Sequence, residues 1–211
     1  IRGDEERARQ EGIEAFERSL QQSAAPANAA RADGPESVAK AEATQAAATL
    51  PGDYRLNQDQ WNAARIAEYQ ASIGADAEPP LAVLRIDELD VAVPVYDGTS
   101  EETLHRGVGR VRGTARIDAV GNLGIAGHRD SFFRPLKDIE EGDRIELSTA
   151  GGTITYSVSS ITIVEPEDVH VLAPTQERTL TLVTCYPFYY VGHAPKRFIV
   201  KATAEHSLAK T

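Results

Sequence analysis

Residues 143–164, DRIELSTAGGTITYSVSSITIV, restrict the fold of this chain more than any other segment. Apolar side chains alternate with polar ones on both sides of a central Ala-Gly-Gly. They are Ile145 and Leu147 before it and Ile154, Tyr156 and Val158 after it. A period of two places alternate side chains on one face of a strand, and a short glycine-containing break between two such strands is typical of a hairpin. The segment therefore predicts a β-hairpin.

Short strand-like runs lie on both sides of this hairpin, from Leu81 onward. They are LAVLRI, LDVAVPVY, GNLGIAGH, TLTLVTC and KRFIVKATAE. Pro94 in the second run favours an edge strand or a bulge, because proline has no N–H to donate to a ladder. Helical signals between the runs are brief and lie near residues 101–104, 132–136 and 167–172. Many strands with short helical crossings predict a mostly β fold, a closed or nearly closed barrel.

The sequence divides into four parts by composition. Residues 1–55 are rich in alanine and lack the large apolar side chains that offset the entropy of ordering, so we expect a flexible or helical spacer. Residues 56–78 predict an N-terminal helix, 79–205 the strand-rich domain and 206–211 a C-terminal tail. The chain opens at Ile1 and contains no methionine, so we expect it to be a fragment of a longer protein.

The helix predicted over residues 56–78 is amphipathic. Trp61 and Tyr69 recur at helical spacing with other apolar residues, and Asn57 or Asp59 is the expected N-cap. We expect the apolar face of this helix to pack on the strand-rich domain.

The acidic charge of the chain argues against a nucleic-acid partner, and the spacing of possible ligands supports no metal site. The chain has 32 acidic and 22 basic residues and a net charge of -10, whereas nucleic-acid binding needs a basic footprint. The acidic segments 138–143 and 165–168 lack the pattern of a calcium-binding EF-hand, and no histidines are spaced with a cysteine as zinc ligands. We expect no cofactor; calcium at these acidic segments stays open, but no sequence pattern supports it.

The only cysteine, Cys185, ends the strand-like run TLTLVTC. It shares one strand face with Thr181 and Val183, while Leu180, Leu182 and Thr184 share the other. A lone cysteine at a strand end is compatible with a buried structural thiol and with a nucleophile whose backbone is fixed by the sheet. The strand alone leaves both readings open.

Two histidines and one arginine are candidate partners for this thiol. His128 follows GIAG, where a strand leaves the sheet at a barrel rim. His193, in a loop after the cysteine, is its rival and is held less rigidly. Arg197 begins the strand after the cysteine strand, so antiparallel pairing of the two would bring its guanidinium to the Cys185 end. There it could hydrogen-bond an oxyanion and favour the thiolate.

Three segments in this order, GNLGIAGHRDSFFRPLKDIEEGDRIEL, LTLVTCYPF and APKRFIV, resemble the sortases, the cysteine transpeptidases of bacterial surfaces. The resemblance covers residues 81–203, and its signature is a Thr-Leu-x-Thr-Cys strand with Gly-His upstream and Arg downstream. The continuation CYPF and the segment YYVGHAPKRF look most like class D sortases. The resemblance implies an eight-stranded sortase-type β-barrel with short helices over residues 79–205.

The resemblance also implies a role for each matched residue. Cys185 would be the nucleophile, His128 the acid/base partner and Arg197 the group that holds the oxyanion or orients the substrate. Sortases cleave a Leu-Pro-x-Thr-Gly (LPXTG) type signal through a Cys thioester and transfer the acyl group to an amine. A thiolate–imidazolium pair present as a minor fraction is usually assigned to the family; proton transfer from a neutral thiol to a neutral imidazole is the other route.

Substrate contacts are implied by the same resemblance. In sortases the connection before the cysteine strand, here residues 165–176, helps to form the substrate groove. Candidate contacts with the Leu-Pro part of a signal are Val169, Leu172 and Ala173. Thr184, next to the nucleophile, and His193, in the loop after it, complete the set.

The resemblance places the full-length protein outside the cytoplasmic membrane, on an anchor that is missing from this chain. The expected partners are a protein with an LPXTG-type signal and an amine acceptor, either a peptidoglycan stem or a lysine of another protein. Two alternatives stay open. One is a cysteine protease that hydrolyses its thioester with water, and the other is a non-catalytic binding barrel with the same fold.

Overall fold

Eight strands close into a barrel in the computed structural model, which describes residues 56–73, 79–189 and 194–205. The strands are β1 (Ala82–Ile86), β2 (Val91–Asp97), β3 (Val108–Arg110), β4 (Asn122–Ala126), β5 (Arg144–Thr149), β6 (Gly152–Val164), β7 (Thr179–Tyr186) and β8 (Lys196–Ala204). Their order around the barrel is β1-β2-β3-β4-β7-β8-β6-β5. The predicted mostly β, eight-stranded barrel is confirmed.

The hairpin predicted over residues 143–164 forms as β5 and β6. Ile145 lies opposite Tyr156 and Leu147 opposite Ile154. Ile145, Leu147 and Tyr156 are all at most 2% exposed. Gly152 opens β6 with φ +125°, a conformation that favours glycine because it has no Cβ. The alternating side chains therefore fill the barrel interior.

Two details of the strands differ from expectation. Strand β3 was missed, because its three residues Val-Gly-Arg are too short to show a period. Pro94 lies in an interior strand of the barrel rather than at an edge. It is accommodated because β2 pairs with β3 only from Val95 onward, so at Pro94 the ladder runs to β1 alone.

The described residues form two α-helices. Helix α1 (Ala63–Ser72) precedes β1, and α2 (Glu101–Arg106) lies between β2 and β3. Three short 3-10 helices also form, over Asp87–Leu89, Arg134–Asp138 and Val169–Leu172. The brief helical signals in the sequence match α2 and the last two of these.

Helix α1 begins later than predicted. Its N-cap is Asn62, whose side chain accepts a hydrogen bond from the Arg65 N–H at 2.9 Å. The predicted cap Asn57 instead accepts from the backbone of Asp59 and donates to Asp90, because the chain makes a separate turn before the helix. The spacer over residues 1–55, the end of the predicted helix at 74–78 and the tail at 206–211 lie outside the described residues.

The two faces of the sheet carry separate apolar clusters. Leu180 and Leu182 of β7 face the barrel interior, within the main core. Val183 of β7 faces outward with Ile199 of β8, and both pack under the 3-10 helix Val169–Leu172. The outer face of β7 and β8 thus carries a partly covered surface, and this surface leads to the strand ends where the sequence places its candidate catalytic groups.

Candidate active site

Cys185 and Arg197 lie directly opposite each other in the antiparallel pair of β7 and β8. Opposed residues project from one face with Cβ atoms about 4.5–5.5 Å apart. Val183 and Ile199, two positions back along each strand, also pair and face outward. The free, half-buried thiol and the guanidinium are therefore neighbours on the outer face of the barrel, as antiparallel pairing of their strands requires.

The Arg197 side chain is fixed by the loop that leads into β8. It is 8% exposed. Its Nη1 donates to the carbonyl oxygens of Ala194 at 3.3 Å and Lys196 at 3.1 Å. These contacts fix the guanidinium near the strand end that carries Cys185, and a guanidinium presents its N–H donors in a rigid planar array.

His128 reaches the same edge from the neighbouring strand β4. Strands β4 and β7 are parallel, with Ala126 beside Val183, and the Gly127 N–H donates to the Val183 carbonyl at 3.1 Å. Two residues further along both strands, His128 follows Ala126 and Cys185 follows Val183. Matched parallel register therefore brings the imidazole and the thiol to one strand end. The rival His193 lies outside the described residues.

The turn that carries His128 is anchored from below by Thr184. The Thr184 hydroxyl is buried and donates to the Gly127 carbonyl at 2.7 Å. A Cβ on Gly127 would lie 2.7 Å from the Phe133 ring and 2.9 Å from Val108, so this position requires glycine for close packing. Thr184 was expected as a substrate contact, but it lies on the opposite strand face from Cys185, with its side chain 2% exposed. The structure gives it a positioning contact instead.

The histidine turn is also tied to the chain after Cys185. Arg129 donates from Nη1 to the Pro187 carbonyl at 3.1 Å, which links the residue after His128 to the residues after the thiol. Phe188 packs on Phe198 with ring centroids 5.1 Å apart and anchors this link in the core. Movement of one strand end relative to the other would break these contacts.

Helix α1 supports the histidine turn from outside. Arg65 donates to Asp130 at 3.1 Å, and Trp61 packs edge-on against Phe132 with centroids 4.7 Å apart. Burial raises the pKa of Asp130, but the hydrogen bond and charge of Arg65 outweigh burial and hold that pKa below its ordinary value. Asp130 is therefore ionised and paired at neutral pH.

The imidazole of His128 is held in its neutral form. Burial lowers its pKa, because burial disfavours the charged ring, and the Arg65 cation acts in the same direction. Asp130 and Glu101 oppose this shift, while His105 adds to it. A neutral imidazole can accept the proton of a nearby thiol, but the lowered pKa of His128 disfavours the resulting thiolate–imidazolium pair.

The segment before β7 is fastened over the outer face by Asn122, a residue that the sequence analysis did not single out. The buried Asn122 amide donates to the carbonyls of Val171 and Ala173, both at 3.0 Å, and its oxygen accepts from Thr181 at 2.7 Å. The sequence did contain a signal for this role: Asn122 belongs to the apolar strand NLGIA, and a buried amide requires hydrogen-bond partners.

The three groove residues expected from this segment differ in exposure. Val169 is 39% exposed and Ala173 is also exposed, so both are available to a ligand. Leu172 is buried at 9%, and a Cβ on Gly124 would lie 2.8 Å from it, so its side chain packs on the sheet. Leu172 thus contributes mainly to the floor of this surface.

One group of side chains has the composition of a metal site. Across the described ranges, a search for close His, Cys, Asp and Glu ligands finds Glu101, His105 and His128, whose ligand atoms all lie within 4.8 Å of one another. The acidic segments around residues 140 and 165 form turns instead, in which Asp143 and Asp168 accept backbone N–H groups.

Comparison with known proteins identifies the family and the fold of this chain. The family model of the sortase domain matches residues 84–205. This chain belongs to the sortase family. It is 34% identical to Sortase D of Bacillus subtilis over 135 residues, which covers 64% of this chain and 68% of that protein. The predicted likeness to class D sortases is thereby confirmed.

Other sortases are similar over more of this chain. Sortase SrtE1 of Streptomyces coelicolor is 36% identical over 169 residues, 71% of this chain but 45% of that longer protein. The crystal structure of sortase C-1 from Actinomyces oris superposes with a TM-score of 0.55 at 30% identity, covering 81% of this chain and 99% of that one. The chain is accordingly a sortase transpeptidase of cell-surface protein anchoring or pilus assembly. None of the helices in the described parts of this sortase is long and apolar enough to cross a bilayer.

Proposed function

We propose that this sortase cleaves an LPXTG-type signal with Cys185, His128 and Arg197 and transfers the acyl group to an amine. The observation that carries the proposal is the strand-end arrangement. The thiol and the guanidinium are directly opposed, and the imidazole ends the adjacent parallel strand. Nucleophile, proton carrier and oxyanion donor are the three functions that acyl transfer needs.

The reaction proceeds in two half-reactions at one site. The Cys185 thiolate attacks the Thr carbonyl carbon, and the Arg197 N–H groups stabilise the oxyanion. The C–N bond to Gly breaks as protonated His128 gives its proton to the departing amine, which leaves a thioester. An incoming amine then attacks the thioester, His128 takes its proton, and the Cys185 thiolate departs as a new amide forms. These side chains supply every proton and charge, so we propose that no cofactor takes part.

The signal lies, in this proposal, along the outer face covered by residues 165–176. The exposed apolar side chains of Val169 and Ala173 are suited to the Leu-Pro part, with Leu172 beneath them. His193 is retained as a candidate contact from the loop between β7 and β8. The acceptor amine is a peptidoglycan stem or a lysine of another protein, and the full-length protein is anchored at the outer face of the cytoplasmic membrane.

Mass spectrometry of peptide mixtures tests the proposal. The enzyme is mixed with an LPXTG-type peptide, with and without a glycine- or lysine-containing amine, beside a Cys185→Ala control. We expect a thioester adduct on Cys185 and a ligated product only when the amine is present. Cleaved peptide in place of ligated product would establish a hydrolase, and no Cys185-dependent change in any signal peptide would favour a binding barrel.

A further inference from the structure

Glu101, His105 and His128 form a cluster at the edge of the active site, and two of its members, Glu101 and His105, have no part in the proposed reaction. Glu101 and His105 are one turn apart on α2, with His105 Nε2 3.3 Å from the Glu101 carboxylate. The rings of His105 and His128 have centroids 5.8 Å apart and are tilted by 38°. Two elements supply the whole cluster: one turn of α2 carries Glu101 and His105, and the end of β4 leads into His128.

The ligand set and its spacing suit zinc. Two imidazoles and one carboxylate form a common zinc set that leaves a fourth position open. Tetrahedral bonds of about 2.0–2.2 Å put ligand atoms roughly 3.4 Å apart, and the three ligand atoms here already lie within 4.8 Å of one another. The largest of these separations has to shorten by at most about 1.4 Å for tetrahedral coordination.

The state of the His128 ring is an independent observation. Its Nε2 is buried and has no hydrogen-bond partner among the described residues. Buried polar atoms of native proteins are normally paired with protein, water or an ion. In the tautomer protonated at Nδ1, this nitrogen carries a lone pair that it could donate to a metal ion.

The charges around the cluster favour a dication. Glu68 lies 3.8 Å from His105 and 2.7 Å from Arg65, while Asp130 also pairs with Arg65. Two carboxylates, Glu68 and Asp130, therefore pair with one guanidinium, and Glu101 adds a third carboxylate next to His105. The surplus negative charge lowers the free energy of a bound divalent cation.

We propose that Glu101, His105 and His128 bind a divalent transition metal of the zinc class, and that the bound metal inhibits the enzyme by occupying the imidazole that moves protons. The inhibitory effect rests on the proposed role of His128, whereas metal binding does not. This revises the expectation of a metal-free protein. That expectation arose because β3, a loop and β4 separate Glu101 and His105 from His128, which hides the cluster in the sequence.

Isothermal titration calorimetry with ZnCl2 tests the binding, in the Cys185→Ala background so that the thiol cannot act as a ligand. We expect one zinc per chain, with affinity reduced at least about tenfold by Glu101→Gln or His105→Asn. His170→Asn is the matched control, because His170 is a solvent-exposed histidine also near a carboxylate, Asp168. CaCl2 is expected to give no heat, since calcium prefers oxygen ligands. Equal zinc affinity in the Cys185→Ala parent and in its three further variants would overturn the proposed site.

Transpeptidation assays test the inhibition. Rates are measured over a zinc series and normalised to the rate of each protein in EDTA. We expect His105→Asn to raise the inhibitory zinc concentration by about tenfold or more, in step with its lost affinity. Zinc that binds the cluster but leaves the rate of the wild type unchanged would overturn the inhibitory role. A wild type inactive in EDTA on every signal peptide would overturn the proposed function instead, while the calorimetry still decides the metal site.

Discussion

Three side chains of different chemistry meet at one strand end because three neighbouring strands place them there. Cys185 and Arg197 are opposed in an antiparallel ladder, and His128 follows the parallel strand on the other side. None of the three needs a flexible loop to bring it to the others. A rigid origin for all three groups suits acyl transfer, since small displacements of a catalytic group cost large factors in rate.

Replacement of Arg197 tests its assignment at the oxyanion. We expect Arg197→Ala to lower kcat by about 10²–10³-fold, the cost of removing one oxyanion donor. Arg197→Lys should recover part of that loss, because it restores the charge but not the planar array of donors. Steady-state kinetics on a signal peptide measure both, with Arg144→Ala as the control at an exposed strand arginine. An Arg197→Ala enzyme with the kcat of the wild type would contradict the assignment.

The lowered pKa of His128 gives the folded protein a specific pH dependence. Above the ordinary histidine value of 6.5 the ring is neutral in both the folded and the unfolded chain. As pH falls below that value, the unfolded chain takes up the proton first, so the free energy of unfolding decreases until pH passes the lower pKa of the folded state. Arg65 and His105 deepen this loss, and Asp130 and Glu101 reduce it.

Urea unfolding in EDTA at about pH 7.5, 6.5 and 5.5 measures this dependence. We expect the wild type to lose more stability toward low pH than His128→Asn, which has no ring to protonate. Parallel pH profiles for the two proteins would show that His128 is not the group responsible.

At the scale of secondary-structure elements, the features predicted correctly from the sequence are strands with alternating apolar residues. The features that were missed are fixed by side-chain hydrogen bonds. The hairpin of β5 and β6 follows directly from alternation, and the Cys185 strand was placed with its faces correctly assigned. The cap of α1 was predicted at Asn57 or Asp59 because several residues near its start have capping side chains, and only the path of the chain selects Asn62. Likewise, nothing local shows that Asn122 bonds to residues 171 and 173.

Asn122 offers a test of how the groove segment is held. Asn122→Asp preserves shape but replaces the donating amide with an acceptor that faces two carbonyls. We expect a loss of about 1–3 kcal/mol in the free energy of unfolding and a raised KM for a signal peptide. The effect on kcat should be smaller, because Thr184 and Gly127 hold the histidine turn separately.

Thr162→Ala, at an exposed position of β6, is the control for this experiment. A fall in kcat with KM unchanged would mean that Asn122 supports the reacting groups rather than the groove segment.

At the scale of the whole molecule, helix α1 is part of the support of the active site and not only a cover on the barrel. Trp61 belongs to the main core cluster although it precedes the helix. Its ring contacts Phe132 and Tyr69, and Arg65 reaches Asp130 from the next turn. The segment before the barrel therefore contacts the histidine turn at two points, one apolar and one charged, and the turn depends on it.

Removal of the Trp61 ring tests this dependence. We expect Trp61→Ala to cost roughly 3–5 kcal/mol of stability, as for other large core truncations, and to lower kcat because the turn after His128 loses its outer support. Hydrogen exchange under native conditions separates the two effects. Backbone amides of residues 128–136 should lose protection well beyond those of the β5–β6 hairpin, which the helix does not support. Val120→Ala, at a position 61% exposed, is the control and should change neither region. An equal loss of protection in both regions would mean that Trp61 stabilises the barrel as a whole, without a particular connection to the turn that carries His128.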